Sequence, residues 1–347
     1  MPKNQLTLEN YKSFLDLRET ERGIKLVKDY FERRLAEELN LQRVSAPRFV
    51  KTGTGINDDL NGVERKVSFQ VKYDPTLTAE VVFSLAKWKR MALADYGFGV
   101  GEGLYTDMDA IRPDEEVLDN LHSVYVDQWD WELAINEGDR NLGFLEKIVK
   151  KIYGVMRGTE KRVYEEYSDI RPILPEEISF IHTEDLIEQY SNLIPKEREN
   201  EIAKKYGAVF LIGIGGELKD GTIHDGRAPD YDDWSTSTSN NKKGLNGDII
   251  VWNPVIEKEF ELSSMGIRVN DEVMLRQLKI RGCEERRELE WHRRLLAGEF
   301  PESIGGGIGQ SRLCMFFLRK VHIGEVQASV WPKDIIEYCK KYDINLL

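Results

Sequence analysis

A glycine-rich segment near the carboxyl terminus has the composition of a phosphate-binding element. It runs from Gly305 to Gly309 and is followed by Gln310, Ser311 and Arg312. It lacks the lysine of a P-loop and the last glycine of a dinucleotide-binding fingerprint. A helix after the glycines would bring Arg312 to its amino-terminal end, where phosphate is favoured. We therefore predict a glycine-rich turn that binds phosphate; the alternative is a tight turn beside a solvated arginine.

Two carboxylates in consecutive predicted strands could bind one metal ion. Asp248 lies at the start of the first strand and Glu261 lies within the second. Carboxylate oxygens are ligands for hard cations such as Mg²⁺, which usually also takes oxygens from substrate phosphates. Each residue alone is an ordinary charged residue, so this hypothesis requires the two strands to be neighbours.

A third predicted strand carries polar side chains on one face. Val126, Gln128, Asp130 and Glu132 share this face because side chains alternate along a strand, while Trp129 and Trp131 point the other way. A Gln/Asp pair suits a pocket that hydrogen-bonds an amino acid. The alternative is a sheet face that is open to water.

The elements that must position these residues indicate an α+β fold. Predicted strands do not alternate regularly with helices, which disfavours a doubly wound parallel sheet and favours a mostly antiparallel β-sheet flanked by helices. No linker, repeat or low-complexity tract divides the chain, so we expect a single catalytic domain over residues 1–347. The predicted helices span 20–40, 84–96 (with Ser84 as its cap), 141–167, 183–190, 196–206, 271–280, 284–297 and 310–320. The later strands are predicted at 103–112, 123–132, 208–214, 248–255, 259–269 and 325–331.

The charge balance argues against a nucleic-acid partner. Asp and Glu number 61 against 49 Lys and Arg, which gives a net charge of −12. This field repels a phosphate backbone, and no Lys/Arg-rich block offsets it. The amino terminus lacks an apolar signal segment, and no apolar run reaches membrane-spanning length. We expect a cytosolic protein that binds neither nucleic acid nor membrane.

Short motifs of the chain resemble the signature motifs of class II aminoacyl-tRNA synthetases. A helix and strand ending at Pro47, the segment 112–115 and the segment 305–312 follow the order of the family's three motifs. The aspartyl branch is the most similar, because residues 126–130 match its F-T-Q-I-D pattern and residues 84–89 match its S-P-x-x-x-K segment. The resemblance implies the catalytic fold of that class and a homodimer that forms near Pro47.

Longer runs resemble the ammonia-dependent asparagine synthetases, which are synthetase-like bacterial ligases. They are SLAKWKR, GEGLYT, LHSVYVDQWDWE, APDYDDWST, GLNGDI, ELSSMGIRV and IGGGIGQSRL, between about residues 20 and 335. The resemblance implies that ATP and Mg²⁺ support the amidation of L-aspartate by ammonia. The implied products are L-asparagine, AMP and pyrophosphate, formed through a β-aspartyl-adenylate.

The resemblance also implies roles for residues at the ATP end. Arg112 meets the α-phosphate, and Arg312 meets the γ-phosphate end. Asp248 and Glu261 hold Mg²⁺ against the leaving pyrophosphate. The implied nucleotide pocket is lined by Ser123, Val126, Ser264 and Arg268.

At the aspartate end, Lys89 is a partner for a carboxylate and Asp130 can accept from the α-ammonium group. The full implied set is Ser84, Lys89, Gln128, Asp130, Arg227 and Asp232. The residues that resemble catalytic positions are Asp58, Arg112, Gln128 and Arg312. Asp58 would attract ammonium and accept its proton. The neighbouring Asp59 is an alternative for this role, and a turn residue before Leu60 is the plain interpretation of Asp58.

Two departures from the tRNA synthetases bear on function. The helix of the first motif begins near residue 20, which leaves no room before it for an anticodon-binding barrel. Val126 stands where an aromatic residue would stack on adenine. Two rival hypotheses remain, an aspartyl- or asparaginyl-tRNA synthetase and a non-catalytic sensor of amino acid or nucleotide.

Overall fold

The computed structural model describes residues 11–57, 65–115 and 117–347, with the side chain of Asn240 excepted. Its strands are β1 (Leu41–Arg43), β2 (Phe49–Lys51), β3 (Ser68–Val71), β4 (Asp74–Val81), β5 (Gly103–Ile111), β6 (Tyr125–Ala134), β7 (Ser179–His182), β8 (Ala208–Ile212), β9 (Asn246–Asn253), β10 (Lys258–Ile267) and β11 (Ser303–Gly309). Its helices are α1 (Leu17–Leu39), α2 (Ala86–Asp95), α3 (Leu142–Glu166), α4 (Thr183–Gln189), α5 (Pro195–Tyr206), α6 (Asp271–Arg281), α7 (Glu290–Leu296), α8 (Gln310–Phe317) and α9 (Lys333–Lys341).

An eight-stranded sheet organises these elements, in the order β1-β5-β6-β11-β10-β9-β8-β7. Only its two edge pairs, β1 with β5 and β7 with β8, are parallel among the described strands. The inner pairs are antiparallel, which confirms the predicted α+β class with a mostly antiparallel sheet. Strands β2, β4 and β3 form a second, three-stranded sheet.

Helices α1, α3 and α8 pack together on one face of the large sheet. The first helix, α1, begins at a capping box formed by Asp16 and Glu19, and it packs on α3 and α8 with a buried apolar stripe. Phe31 of this stripe stacks on Trp129 of β6, with ring centroids 5.1 Å apart. Trp129 and Trp131 are fully buried under the helices, as their alternation predicted. The Gln128 and Asp130 side chains therefore point to the opposite face of β6.

The glycine-rich segment is not a turn but the inner strand β11, so the predicted turn is wrong. Strand β11 lies between β6 and β10, with Gly305 opposite Glu132 and Gly307 opposite Asp130. A Cβ atom on Gly305 would lie 1.8 Å from Glu132 Oε2, and one on Gly307 would lie 2.5 Å from the Gln128 amide oxygen. Glycine is required because the side chains of β6 occupy the space above β11.

Other element predictions also need correction. Residues 325–331 form no strand; a 3₁₀ turn at Ile323–Glu325 precedes an irregular segment, and helix α9 follows. The 284–297 helix is a 3₁₀ turn at Glu284–Glu288 followed by α7. Ser84 is not the cap of α2, whose N-cap is Leu85, although Ser84 Oγ accepts from the Ala86 N–H at 3.0 Å. None of the described helices combines the length and hydropathy of a membrane span.

Candidate active site

The face of the large sheet opposite α1, on which α2 packs, borders a cleft of about 940 Å³. A cavity of this size can hold a small substrate together with a nucleotide. The sequence-predicted residues that line it are Ser84, Lys89, Arg112, Ser123, Val126, Gln128, Asp130, Arg227, Asp232, Glu261, Ser264, Arg268 and Arg312. The cleft therefore brings together residues that follow the glycine-rich strand, lie on the polar face of β6 and belong to the predicted metal pair.

Lys89 and Asp130 form a buried ion pair at one end of the cleft. The Lys89 ammonium donates to Asp130 Oδ1 at 3.1 Å and to the Gly306 carbonyl at 2.7 Å, and its side chain is 1% exposed. Burial lowers the pKa of Lys89, and the Asp130 charge opposes this shift. An ammonium group has three N–H donors, so these two contacts leave one donor for a substrate.

Arg268 lies beside this pair rather than at the other end of the cleft. It donates through Nε and Nη2 to the Glu132 carboxylate and through Nη1 to Asp232. Ser303 Oγ donates to Glu132 Oε1 at 2.7 Å, so this buried carboxylate is held from two sides. Burial raises the pKa of Asp232, and the Arg268 charge opposes that shift. The residues that were predicted to bind the nucleotide therefore do not all lie together. Arg268 lies beside Lys89 and Asp130, whereas the Ser123 hydroxyl lies elsewhere, 2.9 Å from Ser329 Oγ.

The two arginines assigned to ATP reach the cleft from different elements. Arg112 follows the end of β5, and its Nε is buried without a hydrogen-bond partner among the described residues. Arg312 is the third residue of α8, as the sequence predicted, and its Nη1 donates to the Glu261 carbonyl at 3.1 Å. Its guanidinium carbon lies 5.7 Å from the centre of the Phe260 ring, which supports its position.

Asp248 and Glu261 lie on the neighbouring antiparallel strands β9 and β10, as the metal hypothesis required. Asp248 is buried just below the lining of the cleft and is bonded to Arg227, which also donates to Ser264 Oγ at 2.9 Å. Burial raises the pKa of Asp248 to about 7; Arg227 opposes the shift and the negative charge of Glu261 adds to it. Glu261 is partly exposed to the cleft.

This donor set fits a divalent cation. The two carboxylates repel each other, and a cation between them would relieve that repulsion. The described residues contain no group of three His, Cys, Asp or Glu side chains that could hold a metal alone. This suits Mg²⁺, which usually takes its other ligands from phosphates and water.

The predicted ammonia residue Asp58, like its alternative Asp59, lies outside the described residues. The preceding residue, Asn57, is buried and held on both sides of its amide group. Its Nδ2 donates to the Val81 carbonyl at 3.1 Å, and its Oδ1 accepts from the Phe83 N–H at 2.9 Å. These bonds hold Asn57 next to the segment that begins with Ser84.

Several residues of the site were not predicted from the sequence. Glu132 was visible on the polar face of β6, but its partners Arg268 and Ser303 are distant in sequence. Gln327 and Ser311 also line the cleft. Gln327 belongs to the segment that was predicted to be a strand, and nothing in the sequence around it indicated a ligand.

Comparison with known proteins identifies the family that the chain resembles. A family model described as aspartate-ammonia ligase matches residues 18–343. The chain is 60% identical over 325 residues to the aspartate–ammonia ligase of Parabacteroides distasonis, and the alignment covers 94% of each chain. It is 58% identical over 339 residues to the corresponding enzyme of Bacteroides thetaiotaomicron, with 98% of each chain covered.

Solved structures similar to this one include asparaginyl- and aspartyl-tRNA synthetases. The Entamoeba histolytica enzyme superimposes with a TM-score of 0.65 at 15% identity, over 90% of this chain and 67% of that chain. The Pyrococcus horikoshii enzyme complexed with asparaginyl-adenylate gives a TM-score of 0.64 at 16% identity, over 90% and 70%. At such identities the likeness concerns the fold alone, and it confirms the predicted class II synthetase-like fold.

Proposed function

The chain belongs to the aspartate–ammonia ligase family, and we propose that it uses ATP to join ammonia to the β-carboxylate of L-aspartate. The products are L-asparagine, AMP and pyrophosphate, and the intermediate is β-aspartyl-adenylate. One observation carries the proposal at the level of the site. One cleft is lined both by the Lys89–Asp130 pair and by Arg112 and Arg312. The ion pair suits an amino acid, and the two arginines suit a triphosphate.

Recognition of aspartate follows from the buried charges at one end of the cleft. The free donor of Lys89 binds the α-carboxylate, and the charge of Arg268 beside it adds to the attraction. Asp130 accepts from the α-ammonium group, and the neighbouring Gln128 amide orients the side chain. Ser84, Arg227 and Asp232 complete the proposed aspartate site.

The first half-reaction makes the β-carboxylate reactive. One of its oxygens attacks the α-phosphorus of ATP, and the bond from that phosphorus to the bridging oxygen breaks as pyrophosphate leaves. Both reactants are anions, so the reaction depends on charge neutralisation and alignment. Arg112 neutralises the α-phosphate, and Arg312 holds the γ-phosphate end. Ser123 and Val126 line the pocket of the base, and Ser264 lies beside the metal pair.

We assign Mg²⁺ to the pair formed by Asp248 and Glu261. The bound ion would supply positive charge to the leaving pyrophosphate. Arg227, which bonds to Asp248 in this structure, would have to share or release that carboxylate. The phosphates of ATP would then offer Arg227 another anionic partner.

The second half-reaction forms the amide. The nitrogen of ammonia attacks the acyl carbon, the bond to the AMP oxygen breaks, and a proton leaves the nitrogen. We propose Asp58 as the acceptor of that proton. Support comes from the preceding residue, Asn57, which is held next to Ser84 by its bonds to Val81 and Phe83.

We further propose that the chain acts as one catalytic domain and pairs as a homodimer. The first motif ends at Pro47, and Phe49 just after it is 54% exposed. Phe49 and Phe69 form an edge-to-face pair on the small sheet, with ring centroids 5.3 Å apart. An exposed aromatic pair of this kind suits contact with a second copy.

The test is to incubate the protein with aspartate, MgATP and ammonium, and to quantify asparagine, AMP and pyrophosphate. We expect equal amounts of asparagine and AMP, both dependent on ammonium. Controls with glutamine alone and with tRNA should give neither asparagine nor aspartyl-tRNA. AMP without asparagine, or transfer of aspartate to tRNA, would reject the ligase in favour of a synthetase.

A further inference from the structure

Gln327 lines the cleft and is buried. It follows the 3₁₀ turn at Ile323–Glu325, and the residue as a whole is 5% exposed. Its amide nitrogen Nε2 donates to Ser311 Oγ at 3.1 Å and approaches Asp127 Oδ1 at 3.4 Å. Gln327 therefore connects the start of β6 with the start of α8.

These contacts determine which way the amide of Gln327 points. A carboxylate can only accept hydrogen bonds, so the nitrogen of the amide must face Asp127. Asp127 is itself fixed, because the Ser311 N–H donates to its Oδ1 at 3.0 Å and Lys28 lies 3.3 Å from its Oδ2. The amide oxygen Oε1 of Gln327 points elsewhere and is buried without a partner among the described residues. An unpaired buried acceptor is unfavourable until a donor arrives.

The location of this acceptor suits the base of a nucleotide. Gln327 contacts Asp127, which follows Val126, and Ser311, which precedes Arg312, and all three line the cleft beside the residues assigned to ATP. Val126 offers no aromatic face for stacking. Binding of the base must then depend more on hydrogen bonds along its edge.

We propose that Gln327 Oε1 accepts a hydrogen bond from the 6-amino group of adenine and so selects ATP over 6-oxo nucleotides. This inference rests on the proposed use of ATP. Adenine carries an N–H donor at this position, whereas guanine and hypoxanthine carry an oxygen acceptor. The 6-oxygen of guanine or hypoxanthine would face Oε1 as a second acceptor, and the two oxygens would repel. Unsubstituted purine has only a hydrogen atom at C6, so it would leave Oε1 without a hydrogen bond.

The experiment compares three triphosphates in aspartate-dependent pyrophosphate exchange: ATP, ITP and purine riboside triphosphate, which has only hydrogen at C6. The wild-type protein should favour ATP over the other two by about tenfold in kcat/KM, as one hydrogen bond predicts. The variant Gln327→Met keeps the length of the side chain but removes the acceptor. In this variant kcat/KM should fall about tenfold with ATP and stay unchanged with purine riboside triphosphate. The ratio of the two kcat/KM values should then approach one.

The matched control is Gln189→Met, since Gln189 is exposed at the end of α4 and does not line the cleft. It should keep the wild-type preference. An unchanged preference for ATP in Gln327→Met would overturn the proposal. A wild-type preference for ITP would overturn it too, because it would place the amide nitrogen against the base.

Two further measurements keep the outcome unambiguous. If Gln327→Met does not fold, as judged by circular dichroism, the wild-type comparison decides, and equal use of ATP and purine riboside triphosphate rejects the role of Gln327. Calorimetric binding of AMP and IMP tests the base alone. A preference for AMP without asparagine synthesis would refute the proposed ligase and leave the adenine contact standing.

Discussion

A row of paired charges lies under the aspartate end of the cleft. Asp130 pairs with Lys89, and Glu132 and Asp232 both pair with Arg268, all of them nearly inaccessible to solvent. Buried charges of this kind are costly unless every member has its partner. Truncating one leaves the other unpaired, so these residues act as a unit. The row therefore presents a fixed electrostatic surface to the substrate, which is what preorganised catalysis requires.

The division of labour among the charged residues can be tested by substitution. Arg112→Gln and Arg312→Gln each remove a cation from the triphosphate, so aspartate-dependent pyrophosphate exchange should fall by about a hundredfold or more. Asp58→Asn should leave exchange nearly intact and mainly suppress asparagine formation. Arg287→Gln is the control, because Arg287 is exposed and pairs only with Glu288 among the described residues. Equal loss of exchange in the arginine variants and in Asp58→Asn would contradict this division.

At the level of single residues, the sequence predicted the polar face of β6 well. Period-two alternation places Gln128 and Asp130 opposite Trp129 whatever the rest of the fold does. It could not reveal that Arg268 pairs with Glu132, since that contact depends on how three strands assemble. The orientation of Gln327 could not be predicted for the same reason, because it depends on contacts with Asp127 and Ser311.

Among the elements, β11 shows how a strand can escape detection. Of the five residues from Gly305 to Gly309, four are glycines and one is isoleucine. The segment therefore has almost no side chains whose alternating polarity could indicate a strand. Composition suggested a turn because glycine is common in turns. The structure places the same glycines between two strands whose side chains fill the space above. Tertiary packing, which a local pattern does not contain, decided the outcome.

Two glycine substitutions should therefore have opposite effects. Gly305→Ala forces a Cβ into the Glu132 carboxylate, so the free energy of unfolding should fall by about 2–3 kcal/mol. The KM for aspartate should rise as well. Gly154→Ala lies in an open position within α3 and should stabilise the protein by about 1 kcal/mol. Urea unfolding measures both, and equal stability of the two variants would contradict the packing of β11.

The 3₁₀ turn at Ile323–Glu325 links stability to pH. His322 caps it, since the Gly324 N–H donates to His322 Nδ1 at 3.0 Å. Burial lowers the pKa of His322 to about 4, with Asp119 opposing the shift. A histidine with a lowered pKa in the folded chain stabilises it fully above the unfolded value, near 6.5. That contribution is lost as the pH falls from there towards 4.

The free energy of unfolding should therefore fall by about 2 kcal/mol between pH 7 and pH 5 through His322 alone. In His322→Asn, whose amide oxygen can still accept from Gly324, this part of the pH dependence should disappear. His122→Asn is the control, because the His122 side chain is 40% exposed. Urea unfolding at both pH values gives the comparison, and an undiminished acid slope in His322→Asn would rule His322 out as its source.

For the whole molecule, the proposed homodimer makes a prediction about Phe49. Phe49→Glu places a charge on the exposed aromatic pair, and burying it in an interface would be unfavourable. Sedimentation velocity should show two copies for the wild-type chain and a large monomer fraction for Phe49→Glu. Ile280→Glu, on the exposed side of α6, should remain dimeric. A wild-type chain that sediments as a monomer at micromolar concentration would reject the dimer.

The position of β11 in the sheet also bears on how the protein is made. Strand β11 fills the gap between β6 and β10, yet it lies more than a hundred residues after β6 in the chain. During synthesis both neighbouring strands leave the ribosome before their shared partner exists, and each carries an open edge that invites wrong pairing. The floor of the cleft can close only after β11 has emerged. We therefore expect the catalytic centre to form after the rest of the large sheet, so that nascent chains depend on protection by chaperones until then.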